Sequence, residues 1–135
     1  MCRADRTTAS GSCKAPAGIL AARAALHFWE EPCISGTQGS GAIFFSGCPL
    51  RCCFCQNYKI SRAPQGKSIS SERLAEIFLE LQEQDAHNIN LVNPPPFSHA
   101  IAKALAEPLP VPVVFNCGGY ERVETLRLLE GKVQI

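Results

Sequence analysis

The amino-acid sequence predicts an α/β fold in which parallel strands alternate with helices. From residue 36 onward, short apolar runs of strand length recur along the chain, and stretches with helical periodicity separate them. The resulting order, β-α-β-α-β-α-β, predicts parallel strands joined by right-handed crossovers, with the helices outside. A doubly wound sheet and a piece of a (β/α) barrel both fit this order. Residues 1–35 precede it as an N-terminal segment that contains cysteines.

Length and charge limit the classes of protein that fit the sequence. The chain has 135 residues, which suits one domain, and a formal net charge of +1 from 13 Lys and Arg against 12 Asp and Glu. This balance argues against nucleic acid and anionic membrane surfaces as partners. No segment approaches the ~20 apolar residues that a membrane span needs, and the N-terminus lacks the apolar core of a signal peptide. We therefore expect a cytoplasmic protein.

The N-terminal segment, residues 1–35, carries the weaker structural signals. Cys2 and Cys13 lie in its first half, which is small, polar and loop-like. Residues 19–29 are rich in alanine, which predicts a short helix that stops at the following Glu-Glu-Pro. Residues 36–41 are predicted to form a tight turn, because their glycines fit neither the dinucleotide-binding nor the phosphate-binding motif.

The first two strands and the helix between them have clear boundaries. Residues 42–45 are wholly apolar, as expected of a strand that is covered on both faces. A helix is predicted over residues 70–84, because a serine can cap its start and one apolar stripe runs along it. The second strand covers residues 88–92 and ends at Asn93. The apolar stripe of the helix consists of Leu74, Ile77, Phe78 and Leu81.

The remaining elements follow the same alternation. A short helix is predicted over residues 99–107 and a third strand over residues 111–115, with Pro112 near the strand's start, where no ladder donor is needed. A helix over residues 121–130 comes next, and residues 133–135 are predicted to begin a fourth strand. This last helix is expected to bury Val123, Leu126 and Leu129.

Four of the eight cysteines crowd into residues 48–55, directly after the first predicted strand. Cys48, Cys52 and Cys55 form a C-x3-C-x2-C pattern, and three thiolates at this spacing can hold three corners of an iron–sulfur cube and leave the fourth iron open. In a cytoplasmic chain, so many cysteines indicate metal or redox chemistry rather than disulfides. We call residues 48–55 the cysteine loop.

Zinc is the alternative for the cysteine loop. A structural zinc takes four ligands, and a fourth could come from Cys33, Cys117 or His87. Cys53 is a poor candidate, because it is adjacent to Cys52 and one local loop would struggle to aim both thiolates at the same ion. The spacing also differs from that of ferredoxins with two clusters, and a redox C-x-x-C motif would leave Cys48 unexplained.

Polar or sulfur-containing residues follow each predicted strand. The cysteine loop follows the first strand, Asn93 the second, and Asn116 with Cys117 the third. Functional residues of parallel α/β folds gather where the carboxyl ends of the strands meet. We therefore expect these three segments to share one rim, where Asn93 and Asn116 could reach a ligand.

The cysteine loop also carries a family resemblance. With Phe54 as the aromatic residue, its C-x3-C-x-aromatic-C pattern resembles the signature of radical S-adenosylmethionine (SAM) enzymes. A longer match is similar to the branch that resembles pyruvate formate-lyase-activating enzymes. That match covers residues 25–37, 39–48, 55–58, 87–92 and 116–121.

The resemblance implies the cofactors and their contacts. Cys48, Cys52 and Cys55 would ligate a [4Fe–4S] cluster, and the fourth iron would bind the amino and carboxylate groups of SAM. Phe54 would line the adenine side of SAM together with the backbone of Cys55 and Gln56. Residues 36–135 would form about three and a half units of the (β/α)6 partial TIM-like barrel of that superfamily.

The resemblance also implies an activity. The reduced cluster would cleave SAM to methionine and a 5′-deoxyadenosyl radical, and the activating enzymes use this radical to abstract hydrogen from a glycine of a partner protein. An electron donor would be a second partner. Two alternatives are a non-catalytic metal-binding module and an inactive fragment of a longer enzyme. Cys2 and Cys13 are interpreted as remnants of a second metal site or as free thiols.

Overall fold

A five-stranded mixed sheet organises residues 11–135, the part of the chain that the structure, a computed structural model, describes. Its strands are β1 (Ile19–His27), β2 (Ser40–Phe45), β3 (Lys67–Ile69), β4 (Ile89–Val92) and β5 (Val113–Asn116). The helices are α1 (Pro32–Ser35), α2 (Tyr58–Arg62), α3 (Ser71–Gln82), α4 (Ser98–Ala104) and α5 (Val123–Arg127), and a 3-10 turn spans Pro95–Phe97.

The order of strands across the sheet is β3-β1-β2-β4-β5. The three strands β2, β4 and β5 are parallel neighbours, as the sequence predicts for its first three strands. Ile43 of β2 is level with Leu91 of β4, which is level with Phe115 of β5. β1 pairs antiparallel with both β2 and β3, so the sheet is mixed rather than wholly parallel. Whether it is part of a barrel stays a prediction.

The helix predicted over residues 19–29 is wrong, because this segment forms strand β1. Alanine favours a helix locally, but β1 gains ladder hydrogen bonds on both of its edges, from β2 and from β3. Ala25 is level with Ala42 and Leu26 with Gly41, so each of these cross-strand pairs contains at least one small residue. Tertiary pairing thus outweighs local propensity here. Strand β3 is not among the strands that the sequence predicts.

One face of the sheet is covered by helices. Helix α3 packs on β1, β2 and β4, and α4 packs on α3. Helix α3 begins where the sequence predicts, with the hydroxyl of Ser70 accepting a hydrogen bond from Arg73 N at 3.1 Å. Its predicted apolar stripe is confirmed as buried. The strand residues that pack in the same core include Ile43, Phe45, Ile89, Leu91 and Val113.

The C-terminal region differs from the prediction. Helix α5 is only five residues long, and Val123 and Leu126 are 60% and 41% exposed, so of the three predicted core residues only Leu129 is buried. Residues 133–135 do not form a strand. They nevertheless run beside β5, where Phe115 N donates to Ile135 O at 2.8 Å.

The remaining predictions concern the two N-terminal cysteines and membrane-spanning segments. Cys2 lies outside the described residues, whereas Cys13 is buried in the core and its role stays a prediction. Within residues 11–135, no helix has the length and apolar character to cross a membrane.

Candidate functional site

A cleft of about 650 Å³ lies on the face of the sheet opposite to the helix-covered core. Phe44 and Val92 contribute to its floor, and they alternate along their strands with the core residues Ile43 and Leu91. The cysteine loop and α2 supply one wall, and β1 with the residues after it supplies another. A volume of this size is typical of small-molecule sites.

The cysteine loop leaves β2 through Gly47, which has a φ of 91°. A Cβ atom at this position would lie 2.7 Å from Cys13 O and 3.1 Å from Ala15 N. Glycine is therefore required here both by the backbone conformation and by the close approach of the N-terminal segment. The buried residues Cys13 and Ala15 thus support the start of the loop from behind.

Helix α2 fastens the cysteine loop at several points. Ile60 O accepts from Gly47 N at 2.9 Å, and Ser61 O accepts from Cys48 N at 3.0 Å. The guanidinium of Arg62 donates to Cys52 O at 3.2 Å. These bonds connect one turn of helix to both ends of the C-x3-C part of the motif. Helix α2 therefore holds the loop in place by hydrogen bonds.

The four cysteines of the loop differ in their surroundings. Cys48, Cys52 and Cys55 are half-buried, whereas Cys53 is exposed. Cys52 and Cys55 line the cleft, whereas Cys48 and Cys53 do not. The difference in burial agrees with the predicted ligand set, although the set itself stays a prediction.

The donor set can be compared with the needs of different metal groups. Within residues 11–135, no three His, Cys, Asp or Glu side chains stand close enough together to hold one metal ion. In an iron–sulfur cube each thiolate binds a different iron, so the thiolates do not have to converge on one point. Three cysteine thiols on a single loop are the type of donor that such a cluster takes. The residues therefore fit a [4Fe–4S] cluster.

Four of the predicted cofactor contacts meet at the cleft. Phe54, Cys55 and Gln56 line it from the cysteine loop, and Asn116 lines it from the end of β5. The ring of Phe54 is 84% exposed and therefore available to a ligand. The common rim predicted for the loop and the third strand is thus present.

Asn93, the fifth predicted contact, is not among the cleft-lining residues. It has a φ of 60°, its side-chain amide donates to Gly47 O, and its backbone N–H donates to Asn116 O at 3.1 Å. Asn93 thereby ties the ends of β2, β4 and β5 together. Its predicted contact with SAM stays a prediction, and its visible bonds position the rim.

Sequence reasoning missed the wall of the cleft that β1 supplies. His27 stacks edge-on against Phe44 with ring centroids 5.8 Å apart, and its Nε2 lies 3.9 Å from a carboxylate oxygen of Glu30. Trp29 borders the same cleft and is 89% exposed. Because the sequence predicted a helix here, no periodicity indicated that these side chains would face the cysteine loop.

Cys117, one of the possible fourth zinc ligands, lies just beyond β5 and is largely exposed. Partial burial and the neighbouring Glu121 carboxylate raise the pKa of its thiol. A metal ligand has to be a thiolate. The raised pKa therefore disfavours the thiolate form of Cys117.

Comparisons with known proteins agree with this description of the site. The sequence model of a family described as the 4Fe-4S single cluster domain matches residues 35–107, just over half of the chain, and this range includes the cysteine loop. The uncharacterized protein MJ0674 of Methanocaldococcus jannaschii is 31% identical over 144 aligned residues. The alignment covers 99% of this chain and 41% of MJ0674, so the chain spans about two fifths of that relative. No solved structure matches the chain significantly.

The matched range runs from α1 to the end of α4 and contains β2, the cysteine loop, α2 and β4. The cysteine loop and helix α2, which holds it by hydrogen bonds, both lie within this range. The site and the comparison indicate the same group, a single cluster bound by cysteines. The chain belongs to the 4Fe-4S single cluster domain family, a family found in radical SAM-related proteins.

Proposed function

We propose that this protein is a radical SAM iron–sulfur protein. The observation that carries the proposal is the position of three half-buried thiols on one loop at the carboxyl ends of three parallel strands, where two of them, Cys52 and Cys55, line an open cleft. Cys48, Cys52 and Cys55 would hold three irons of the cluster, and the fourth would remain open to a ligand. When bound and reduced, the cluster would supply the electron that cleaves the sulfonium of SAM.

The residues of the chain would bind and orient SAM within the cleft. Phe54 offers an exposed aromatic face next to the loop for the adenine, and Gln56 offers a side-chain amide. Asn116 lines the same cleft with a second amide, which would bond to polar groups of the ligand. The apolar floor of Phe44 and Val92 would exclude water from the reacting carbon.

The acceptor of the radical is proposed from the family resemblance. A glycyl-radical enzyme fits, since activating enzymes act on a glycine of a partner protein. The chain spans 41% of MJ0674, so residues beyond this length in a longer protein would contribute to that choice. Exposed Lys59 and Arg62 follow the cysteine loop and would suit an acidic electron-donor protein.

Anaerobic reconstitution of the chain with iron and sulfide tests the proposal. The protein should turn brown, bind about four irons, and give an EPR signal on reduction that changes when SAM is added. Under reducing conditions, 5′-deoxyadenosine should form. A colourless protein that contains zinc would contradict the proposal. A cluster whose EPR signal ignores SAM would instead indicate the non-catalytic module.

A further inference from the structure

We propose that Ser61 sets the reduction potential of the bound cluster by donating a hydrogen bond to the sulfur of Cys55. The inference rests on the proposed cluster at Cys48, Cys52 and Cys55, and it assigns a positioning and tuning role to a residue outside that motif. Ser61 lies on α2, six residues after Cys55 in the chain.

The geometry brings Ser61 against two of the three proposed ligands. Its Oγ lies 3.6 Å from Cys55 Sγ, within the range of a hydrogen bond to sulfur. Its carbonyl oxygen accepts from Cys48 N at 3.0 Å. The backbone of Ser61 therefore fixes one end of the cysteine loop, and its hydroxyl touches the sulfur at the other end.

Whether the sulfur of Cys55 carries a proton decides which group donates in its hydrogen bond with Ser61. When Cys55 is a thiol, its S–H can donate to Ser61 Oγ while the hydroxyl donates to Tyr58 O, which lies 3.3 Å away. Once Cys55 is a thiolate bound to iron, the sulfur has no proton and can only accept. The hydroxyl then has two acceptors, and a charge-assisted hydrogen bond to the thiolate is the stronger choice. Cluster binding thus turns the hydroxyl of Ser61 toward the sulfur.

A donor at this sulfur affects the reduced cluster more than the oxidised one. Reduction adds one electron, which a chemical reductant such as dithionite supplies in the test below, and part of the added charge falls on the sulfur ligands. A hydrogen bond to such a sulfur stabilises this charge and raises the reduction potential. No covalent bond of Ser61 forms or breaks in this step.

Burial makes the hydroxyl hard to replace. Ser61 is only 7% exposed, so water cannot readily take the position of its Oγ after truncation. In a site with little solvent, a hydrogen bond to a charged group also counts for more than at the surface. Loss of this one hydroxyl should therefore be measurable at the cluster.

The test compares reduction potentials, measured by EPR-monitored redox titration of the reconstituted chain. Ser61→Ala and Ser61→Val should have a more negative potential than the wild type, while Ser61→Thr, which keeps a hydroxyl and matches Val in shape, should stay close to it. Ser98→Ala is a matched control. Ser98 is also buried, and its Oγ donates to the carbonyl oxygen three residues earlier, Pro95 O, at 3.0 Å. This control should leave the potential unchanged.

The outcomes separate this inference from the proposed function. Equal potentials in wild type, Ser61→Ala and Ser61→Val would overturn the inference while leaving the cluster in place. If no Ser61 variant retains a cluster, Ser61→Thr included, Ser61 acts through packing and the inference is also overturned. If the potentials follow the predicted series but SAM does not change the EPR signal, the role of Ser61 is supported and the proposed SAM chemistry is contradicted.

Discussion

The two faces of the sheet are built by the same strands but have different surroundings. Phe45 faces the helices and is fully buried, with its ring centroid 5.6 Å from that of Phe97. Its chain neighbour Phe44 faces the cleft, beside the cysteine loop, and touches His27. The covered face contributes the burial that stabilises the fold. The open face keeps space and side chains that are free to meet a ligand.

A polar residue in the middle of the sheet sharpens this difference. Asn90 alternates with the core residues Ile89 and Leu91, so it belongs to the face of the cleft, yet it is fully buried. Among the described residues, its Oδ1 has no hydrogen-bond partner. Such an atom costs about 1–3 kcal/mol. The covered side of β4 carries no comparable cost, since Ile89 and Leu91 are apolar.

The largest expected effect lies on the open face, at the cysteine loop. Cys52→Ala should abolish the cluster, because it removes a thiol that lines the cleft, whereas Cys53→Ala should leave the cluster largely intact, because Cys53 is exposed and outside the cleft. Iron content and the absorbance of the reconstituted proteins measure both. The reverse pattern would reject the ligand assignment.

The next prediction compares the stability that two adjacent phenylalanines, one on each face of the sheet, contribute to the fold. Phe45→Ala should lower the free energy of unfolding by about 3–5 kcal/mol, since it empties a closed core. Phe44→Ala should cost less than half of this, because its ring already borders the cleft. Denaturant unfolding of the cluster-free chain gives both values. Equal losses would mean that the cleft face is packed as tightly as the core.

A smaller effect is expected where Asn93 joins the strand ends. Asn93→Gly tolerates the φ of 60° but leaves the buried carbonyl of Gly47 without its donor, which should cost about 1–3 kcal/mol of unfolding free energy. Asn93→Ala should cost roughly 1 kcal/mol more, because alanine is strained at this φ. Chemical denaturation of both variants provides the measurement. A neutral Asn93→Gly would show that this bond does not hold the rim.

The smallest effect concerns an ion pair on the outside of the covered face. Lys103 Nζ of α4 lies 2.7 Å from Glu72 Oε1 of α3, and this hydrogen bond is the main reason that the pKa of Glu72 falls from 4.5 to about 2. A lowered pKa stabilises the fold above about pH 4.5, and the contribution disappears as the pH falls toward 2.

Glu72→Gln should therefore lower the melting temperature slightly at pH 7 and by progressively less below pH 4.5. Both side chains are exposed, so the shift is small. Lys103→Met is the matched variant, and the double variant should lose no more than either single one. Additive losses would indicate that the two side chains act independently.

The parts of the fold that the sequence predicted well are those with strong local patterns. Helix α3 has both a serine cap and a complete apolar stripe, and β2 is a short apolar run between turns. Strand β1 was mispredicted because its alanines carry no period-two pattern and its stability depends on ladders with β2 and β3. Helix α5 was predicted too long because apolar spacing alone does not reveal whether another element covers it.

The candidate site divides in the same way. The C-x3-C-x2-C motif is local, so it can be found without knowledge of the fold. The hydrogen bonds from Ser61 to Cys55 and from Asn93 to Gly47 depend on where α2 and β4 place these side chains. No residue spacing in the sequence predicts them. His27 and Trp29 enter the cleft only because β1 is a strand.

The proposed function requires that the open face hold a [4Fe–4S] cluster with one iron free to bind SAM. Mössbauer spectroscopy of the chain reconstituted with 57Fe tests it most directly, because each iron contributes to the spectrum. Addition of SAM should change the signal of a single iron and leave those bound by Cys48, Cys52 and Cys55 nearly unaltered. A spectrum that SAM does not change would contradict the proposed function.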